Sequence, residues 1–272
     1  MSLSRSTRSA LAWRLASFAV AAVLVALWQL IANARLVAPA FLPGPDRAWA
    51  SLVRGFTDGD LLAKLTGTLQ HMVCGWLVAS LLGIAVGALI GSSPRVRSYV
   101  TPSLEFLRPL PASAIIPVAI AFFGLSQTMT IFVIAFGAVW PMLLSTVHGF
   151  AAVEPRLYEV ARALHLSRAA VIFKIGLPSA SPDILAGMRI SVTVALILSV
   201  VCEMLAGLDG LGQWILLSAR MFRSADLFAG VILLGVIGYV TALAVARGER
   251  KLLIWGTSGH LTPPRQGLVR FR

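Results

Sequence analysis

Residues 109–153 read PLPASAIIPVAIAFFGLSQTMTIFVIAFGAVWPMLLSTVHGFAAV, a run without a single Asp, Glu, Lys or Arg. As one helix rising about 1.5 Å per residue it would reach about 68 Å, roughly twice the hydrocarbon core of a bilayer. The run must therefore fold back on itself inside a membrane. Its one polar, glycine-containing break is Gly124-Leu125-Ser126-Gln127-Thr128, which sets one span at 107–125 and the next at 128–147. Pro109, Pro111 and Pro117 are expected to kink the first of these.

The same test applied outward finds charge-free spans at 15–32, 72–90 and 227–246, and a fifth at 184–206 that holds Arg189 near one end and Glu203 near the other. The expected fold is an all-α integral membrane protein, a six-helix transmembrane bundle over 15–247, with an N-terminal segment 1–14 and a basic tail 248–272. Composition agrees, since 58% apolar and 12% charged residues over 272 positions cannot cover a soluble surface. A net charge of +12 points to nucleic acid or to a membrane, and the hydrophobicity selects the membrane.

Loop charges orient the bundle. With the N-terminus inside, 17 of the 23 Lys and Arg fall on inner segments, and the outer ones are Arg35, Arg47, Arg54, Lys64, Arg220 and Arg223. Both termini are therefore expected in the cytoplasm. A secretory signal ending at Ala32-Asn33-Ala34 is the competing reading of the N-terminus, but its apolar run is longer than a signal core and its removal would leave an odd number of spans. The second span carries Gly75, Ala79, Gly83, Gly87 and Gly91 on one stripe, the pattern that lets another helix approach closely, from this chain or from a second copy.

Several chemistries are missing. None of Lys64, Lys174 and Lys251 follows a glycine, so the chain has no phosphate-binding G-x-x-x-x-G-K-[ST] loop. His71, His148, His165 and His260 are scattered, and Cys74 and Cys202 sit singly in apolar runs, so neither a metal site nor a disulfide framework is expected. An intramembrane serine hydrolase would have to set Ser80 or Ser199 against His71 or His148, and membrane serines are more often packing residues. A gradient-driven carrier or channel would show ionisable groups at mid-membrane, and only Glu203 comes near that description.

The longest inner loop, 154–178, is patterned. Leu157, Val160, Ala161 and Leu164 share one helical face, and Ser167 can cap a second short helix through Ile175 that Pro178 and Pro182 are expected to stop. A helix pair of this kind suits either docking to a partner or lying on anionic lipid.

Glu159-Val160-Ala161-Arg162-Ala163-Leu164-His165 followed by Ile175-Gly176-Leu177-Pro178 resembles the EAA loop of bacterial ATP-binding-cassette importer permeases, with Val160 where alanine and His165 where glycine are usual. Leu42-Pro43-Gly44-Pro45, then Arg108-Pro109-Leu110-Pro111-Ala112-Ser113-Ala114-Ile115-Ile116-Pro117 with Phe122-Phe123-Gly124, and Glu203-Met204-Leu205 with Gly210-Leu211-Gly212 are similar to motifs of the nitrate, sulfonate, taurine and bicarbonate subfamily.

This resemblance implies a type I importer in which the chain lines the path for a small solute, with a sulfonate-, taurine- or nitrate-type anion as the family expectation. It implies two separate ATPase subunits that hold ATP and Mg, no cofactor and no catalytic site in this chain, an extracytoplasmic solute-binding protein, a homodimer, and contacts with lipid but not nucleic acid. The residues expected to couple to the ATPase are Glu159, Ala161, Arg162, Ala163, His165, Ser167, Leu177 and Pro178. The path or gate residues are expected to be Ser113, Phe123, Glu203 and Met204. Glu203 is expected either to reach water or bond the 207–212 loop amides, as a purely structural group, or to brace an outer gate against Gly210-Leu211-Gly212. The outer loops are close to charge balance, which by itself does not favour an anion over a neutral solute.

Overall fold

A computed structural model of the chain describes residues 5–57, 59–107 and 109–252. Arg108 of the third-span signature and the tail beyond 252, with Trp255, Pro263 and Pro264, lie outside the described residues. All described regular structure is helical. The order is α1 (Arg5–Asn33), α2 (Pro45–Thr57), α3 (Leu61–Gly91), α4 (Pro94–Leu107), a 3₁₀ turn (Ala112–Ile115) leading into α5 (Ile116–Phe123), and α6 (Gln127–Ala151). There follow α7 (Pro155–Ala163), α8 (Arg168–Val171), a π-helical turn (Ile172–Gly176), α9 (Leu177–Ala206), α10 (Leu211–Arg220) and α11 (Ser224–Leu252). Five helical stretches are long and apolar enough to cross a membrane, and a bent pair makes a sixth.

The structure departs from the sequence expectation at two places. The stretch expected as one kinked span at 107–125 is helical only over 112–123, and with α4, which ends at Leu107, it makes a pair bent by 77°. Pro109 and Pro111 lie in the break, where missing amide hydrogens and fixed φ angles prevent a continuous ladder. The second departure is that Pro178 and Pro182 do not stop the helix that begins at Arg168, which continues to Ala206 over 39 residues. The π turn at 172–176 lies directly before Pro178 and shifts the hydrogen-bond register there, so the proline ring need not displace a carbonyl one α-turn back.

The described residues form two compact units. One takes the chain up to His71, Leu125–Gln127 and Ser199–Ile237, and the other takes Met72–Gly124, Thr128–Leu198 and the residues from Gly238 on.

In the first unit, Pro45 opens α2 at its first helical position, where a missing amide hydrogen costs nothing. The Trp28 indole donates to Pro43 O at 3.0 Å and its ring lies against Phe228 with centroids 5.5 Å apart. Ser224 donates to Ala40 O, so the start of α11 is tied to the loop that follows α1. Leu61, Leu211, Ile215 and Ala229 are buried among these contacts.

The second unit is centred on α6, whose buried positions include Val133, Ile134, Ala138, Met142 and Phe150. The small-residue stripe of α3 faces it. A methyl group added at Gly83 or Gly87 would sit 2.7 Å from the Cβ of Met142 or Thr146, and one at Gly91 would sit 2.6 Å from that of Phe150. These separations lie far inside van der Waals contact, so α3 and α6 approach as closely as they do only because the stripe is glycine. The neighbour left open by the sequence is thus a helix of the same chain. On α9, Ser191 donates to Ala138 O at 2.7 Å, bonding across helices where no water competes.

Candidate functional site

Two polar constructions stand out, one in each unit. The first is the corner between α9 and α10. Glu203 lies on the last turn of α9 with no solvent exposure, and such a carboxylate needs hydrogen-bond donors to remain there. The Gly212 amide donates to its Oε2 at 2.9 Å, the Thr68 hydroxyl donates to the same oxygen at 2.9 Å, and His71 Nδ1 lies 3.1 Å from Oε1. Thr68 Oγ1 also accepts the Leu211 amide at 2.8 Å.

Leu211 and Gly212 are the first two residues of α10, and their amides are among those a helix cannot satisfy internally. Thr68 and Glu203 therefore cap α10 from two other helices, with the carboxylate at the end where a helix dipole favours negative charge. The local sequence makes room for this. A side chain at Gly210 would collide with the Glu203 carboxylate, and one at Gly212 would come within 3.0 Å of Glu203 Cβ. Lys64 forms an ion pair with Asp209 beside the same corner. With its donors and acceptors matched, the corner is a latch joining α3, α9 and α10, and it opens only by stripping donors from a buried carboxylate.

Of the sequence expectations for Glu203, the contact with the 210–212 loop is present, through the Gly212 amide, whereas access to water is not, because the side chain has no solvent exposure. Thr68 and His71 were missed as partners. Their signal in the sequence is an i, i+3 polar pair on one helical face, and the sequence reading weighs His71 only for metal binding and as a hydrolase base. Met204, beside Glu203, is half-buried. Ser113 lies in the 3₁₀ turn of the second unit and is exposed, while Phe123 ends α5 with its ring 5.2 Å from that of Phe132.

The second construction is the 154–178 segment. Pro155 starts α7 as its first residue, and Ala161 is buried beneath it. Leu157, Val160 and Leu164 are 40%, 54% and 66% exposed, so most of the expected apolar face lacks cover within the chain. Glu159, Arg162 and Ala163 are also exposed, and Glu159 and Arg162 form no ion pair among the described residues. Tyr158 anchors the helix by donating to Phe150 O at 3.2 Å; burial pushes its phenol above the ordinary range against the opposing pull of Arg97, which keeps it a neutral donor.

The helix ends in a Schellman turn. The Leu166 amide donates to Ala161 O and the His165 amide to Arg162 O, both at 3.0 Å, and His165 has φ +51°. That is the left-handed region, which explains why this loop pattern usually carries glycine at the position. Ser167 then caps α8, accepting the Ala170 amide at 3.2 Å, as its sequence position predicts. Leu177 and Pro178 begin α9, downstream of the π turn.

Residues 79–253 match the family described as binding-protein-dependent transport system inner membrane component. A Bacillus subtilis permease protein named for aliphatic sulfonates transport is 35% identical over 237 residues, 87% of this chain and 86% of its own length. The taurine transport system permease protein of Escherichia coli is 32% identical over 88% of this chain and 89% of its own. The nitrate import permease protein of Leptolyngbya laminosa is 31% identical over 79% of each. Among solved structures, an inward-facing methionine ABC transporter aligns with a TM-score of 0.63 at 18% identity, covering 71% of this chain and 95% of that one. A bacterial ABC transporter for import of the polysaccharide alginate also aligns at 0.63, with 14% identity over 88% of this chain and 96% of that one. The helical bundle, the latch motif and the patterned loop thus occur in a chain that belongs to the binding-protein-dependent transport permeases, as an ABC importer permease of the sulfonate, taurine, nitrate and bicarbonate group.

Proposed function

We propose that this chain is the membrane subunit of an ATP-driven importer in a bacterial inner membrane, and that it passes a small organic or inorganic anion delivered by an extracytoplasmic binding protein. ATP and Mg belong to two separate ATPase subunits, each docked on one copy of the 154–178 segment. The observation that carries this reading is the face of α7, where apolar Leu157, Val160 and Leu164 stand exposed beside Glu159 and Arg162, neither of which has an ion-pair partner among the described residues. Exposed apolar surface flanked by charges free to form charge-assisted bonds suits a protein groove. The anion follows from relatives named for aliphatic sulfonates, taurine and nitrate.

Closure of the ATPases on ATP would move the segment, and the latch at Glu203 would hold the path shut until solute arrives. The deciding experiment is co-purification of an ATPase with the tagged full chain, repeated with Glu159→Lys. The expected outcome is an ATPase that co-purifies with the native chain and, in the variant, either dissociates or hydrolyses ATP without transport. An assembled Glu159→Lys complex transporting at the native rate would overturn docking through this segment.

A further inference from the structure

Across the outer loops the sequence is close to charge balance, but folding does not distribute those charges evenly. A cavity of about 800 Å³ opens in the first unit between α2, the turn before α3, α10 and the start of α11. Four cations line it, Arg47, Arg54, Lys64 and Arg223, and two of them are already matched. Lys64 pairs with Asp209, and Arg223 pairs with Asp226, whose carboxylate also receives the Ser51 hydroxyl. Arg47 and Arg54 form no ion pair among the described residues, and Asp60 is the lining carboxylate left unmatched there. Arg47, Ser51 and Arg54 follow at spacings of four and three, so α2 presents both guanidiniums along one stripe. Trp214, Phe222, Leu61 and Pro39 supply apolar wall.

We infer that this cavity is a binding site for a small organic anion, with an oxyanion head of the sulfonate type held by Arg47 and Arg54 and an apolar tail against Trp214 and Phe222. Guanidinium forks match planar and tetrahedral oxyanions through paired N–H donors, which gives geometry as well as charge. The volume falls in the range of small-molecule sites. The inference deepens the import reading, on which it relies only for identifying the anion as the solute. The site would gather solute on the side that the loop charges assign to the outside, before the path opens. An anionic lipid headgroup offers the same chemistry, and the test separates the two sources.

The full chain, in nanodiscs of zwitterionic phosphatidylcholine, is titrated with 3,3,3-trifluoropropane-1-sulfonate and followed by ¹⁹F line broadening, with the uncharged trifluoropropanol as control. Because both arginines face solvent, binding near 1 mM is expected. Arg47→Gln/Arg54→Gln should weaken it at least about tenfold, and Arg220→Gln, which removes a charge outside the cavity, should leave it unchanged. Asp60→Asn should tighten binding about two- to fivefold, a gain that misfolding cannot imitate. Equal binding by the double arginine variant, equal broadening of the alcohol, or no tightening in Asp60→Asn would overturn the site. Loss of sulfonate binding when phosphatidylglycerol is added would assign the cavity to lipid and overturn the solute reading. No ATPase or transport step enters this measurement, so its failure would leave the importer reading standing, and failure of ATPase co-purification would leave an observed anion site in place.

Discussion

Glu203 is buried, with two donors on Oε2 and His71 Nδ1 beside Oε1, so its replacement separates shape from charge. Glu203→Ala leaves the Gly212 amide and the Thr68 hydroxyl without their acceptor, and each orphaned buried group costs about 1–3 kcal/mol. Glu203→Gln keeps an acceptor in place and should cost less than about half as much. Thermal unfolding of the purified chain checks the order of the two variants. If the latch gates transport, Ala should also raise ATP turnover in the absence of solute while Gln remains near native, and full coupling in both would reduce the corner to a structural cap. His165 offers the opposite sign. At φ +51° a residue with a Cβ is strained by about 1 kcal/mol, so His165→Gly should stabilise the α7–α8 turn by that order, and the β-branched His165→Val should weaken it. Limited proteolysis of the segment reads both. These two positions differ in legibility. An acid at the end of an apolar span is visible as an expense that needs donors, and the adjacent Gly-Leu-Gly named one of them. Thr68 and His71 stand more than 130 positions away in sequence, and no local pattern links them to Glu203.

The helices differ in how far their one-dimensional pattern describes them. The stripe on α3 was readable as a close-packing face, and the structure sets it against α6. Gly87→Ala should therefore cost about 1–3 kcal/mol through a methyl group forced against Thr146, whereas the same change at Gly235, where nothing lies within 4 Å, should leave thermal stability unchanged or slightly raised. Equal effects at the two sites would mean that the helices have room to separate. Prolines were the less legible signal. Pro109 and Pro111 fall in a break between helices, yet Pro178 and Pro182 are carried inside one, Pro178 because the π turn ahead of it accommodates the lost bond and Pro182 within the regular α9. Proline chemistry alone does not distinguish a stop from a tolerated bend. The outcome depends on whether neighbouring turns can re-register, and for α9 packing of Ala180 and Ile184 into the core around Phe150 favours continuation.

For the molecule as a whole, under the docking proposed above one 154–178 segment per chain would address one ATPase, so a transporter with two ATPases would need two copies, and closed two-fold symmetry would be the simplest arrangement. Native mass spectrometry of the assembled complex should show two copies of this chain with two ATPases, and a single copy, or pairing with a different permease, would refute the homodimer. The sequence by itself determined the class of solvent, the helical content, the helix break after Phe123 and the family, because each follows from runs of apolar residues and short motifs whose members lie within a few turns of one another. It also supplied every residue of the latch and of the arginine-lined cavity, but not their grouping. Only the tertiary structure decided that Thr68, His71 and Glu203 share one corner, that α3 meets α6, and that Lys64 and Arg223 are matched by carboxylates while Arg47 and Arg54 are left facing a cavity. The physical reason is that hydropathy acts on each segment independently, whereas hydrogen bonding and charge compensation depend on distances of a few ångströms between residues that the chain brings together only by folding.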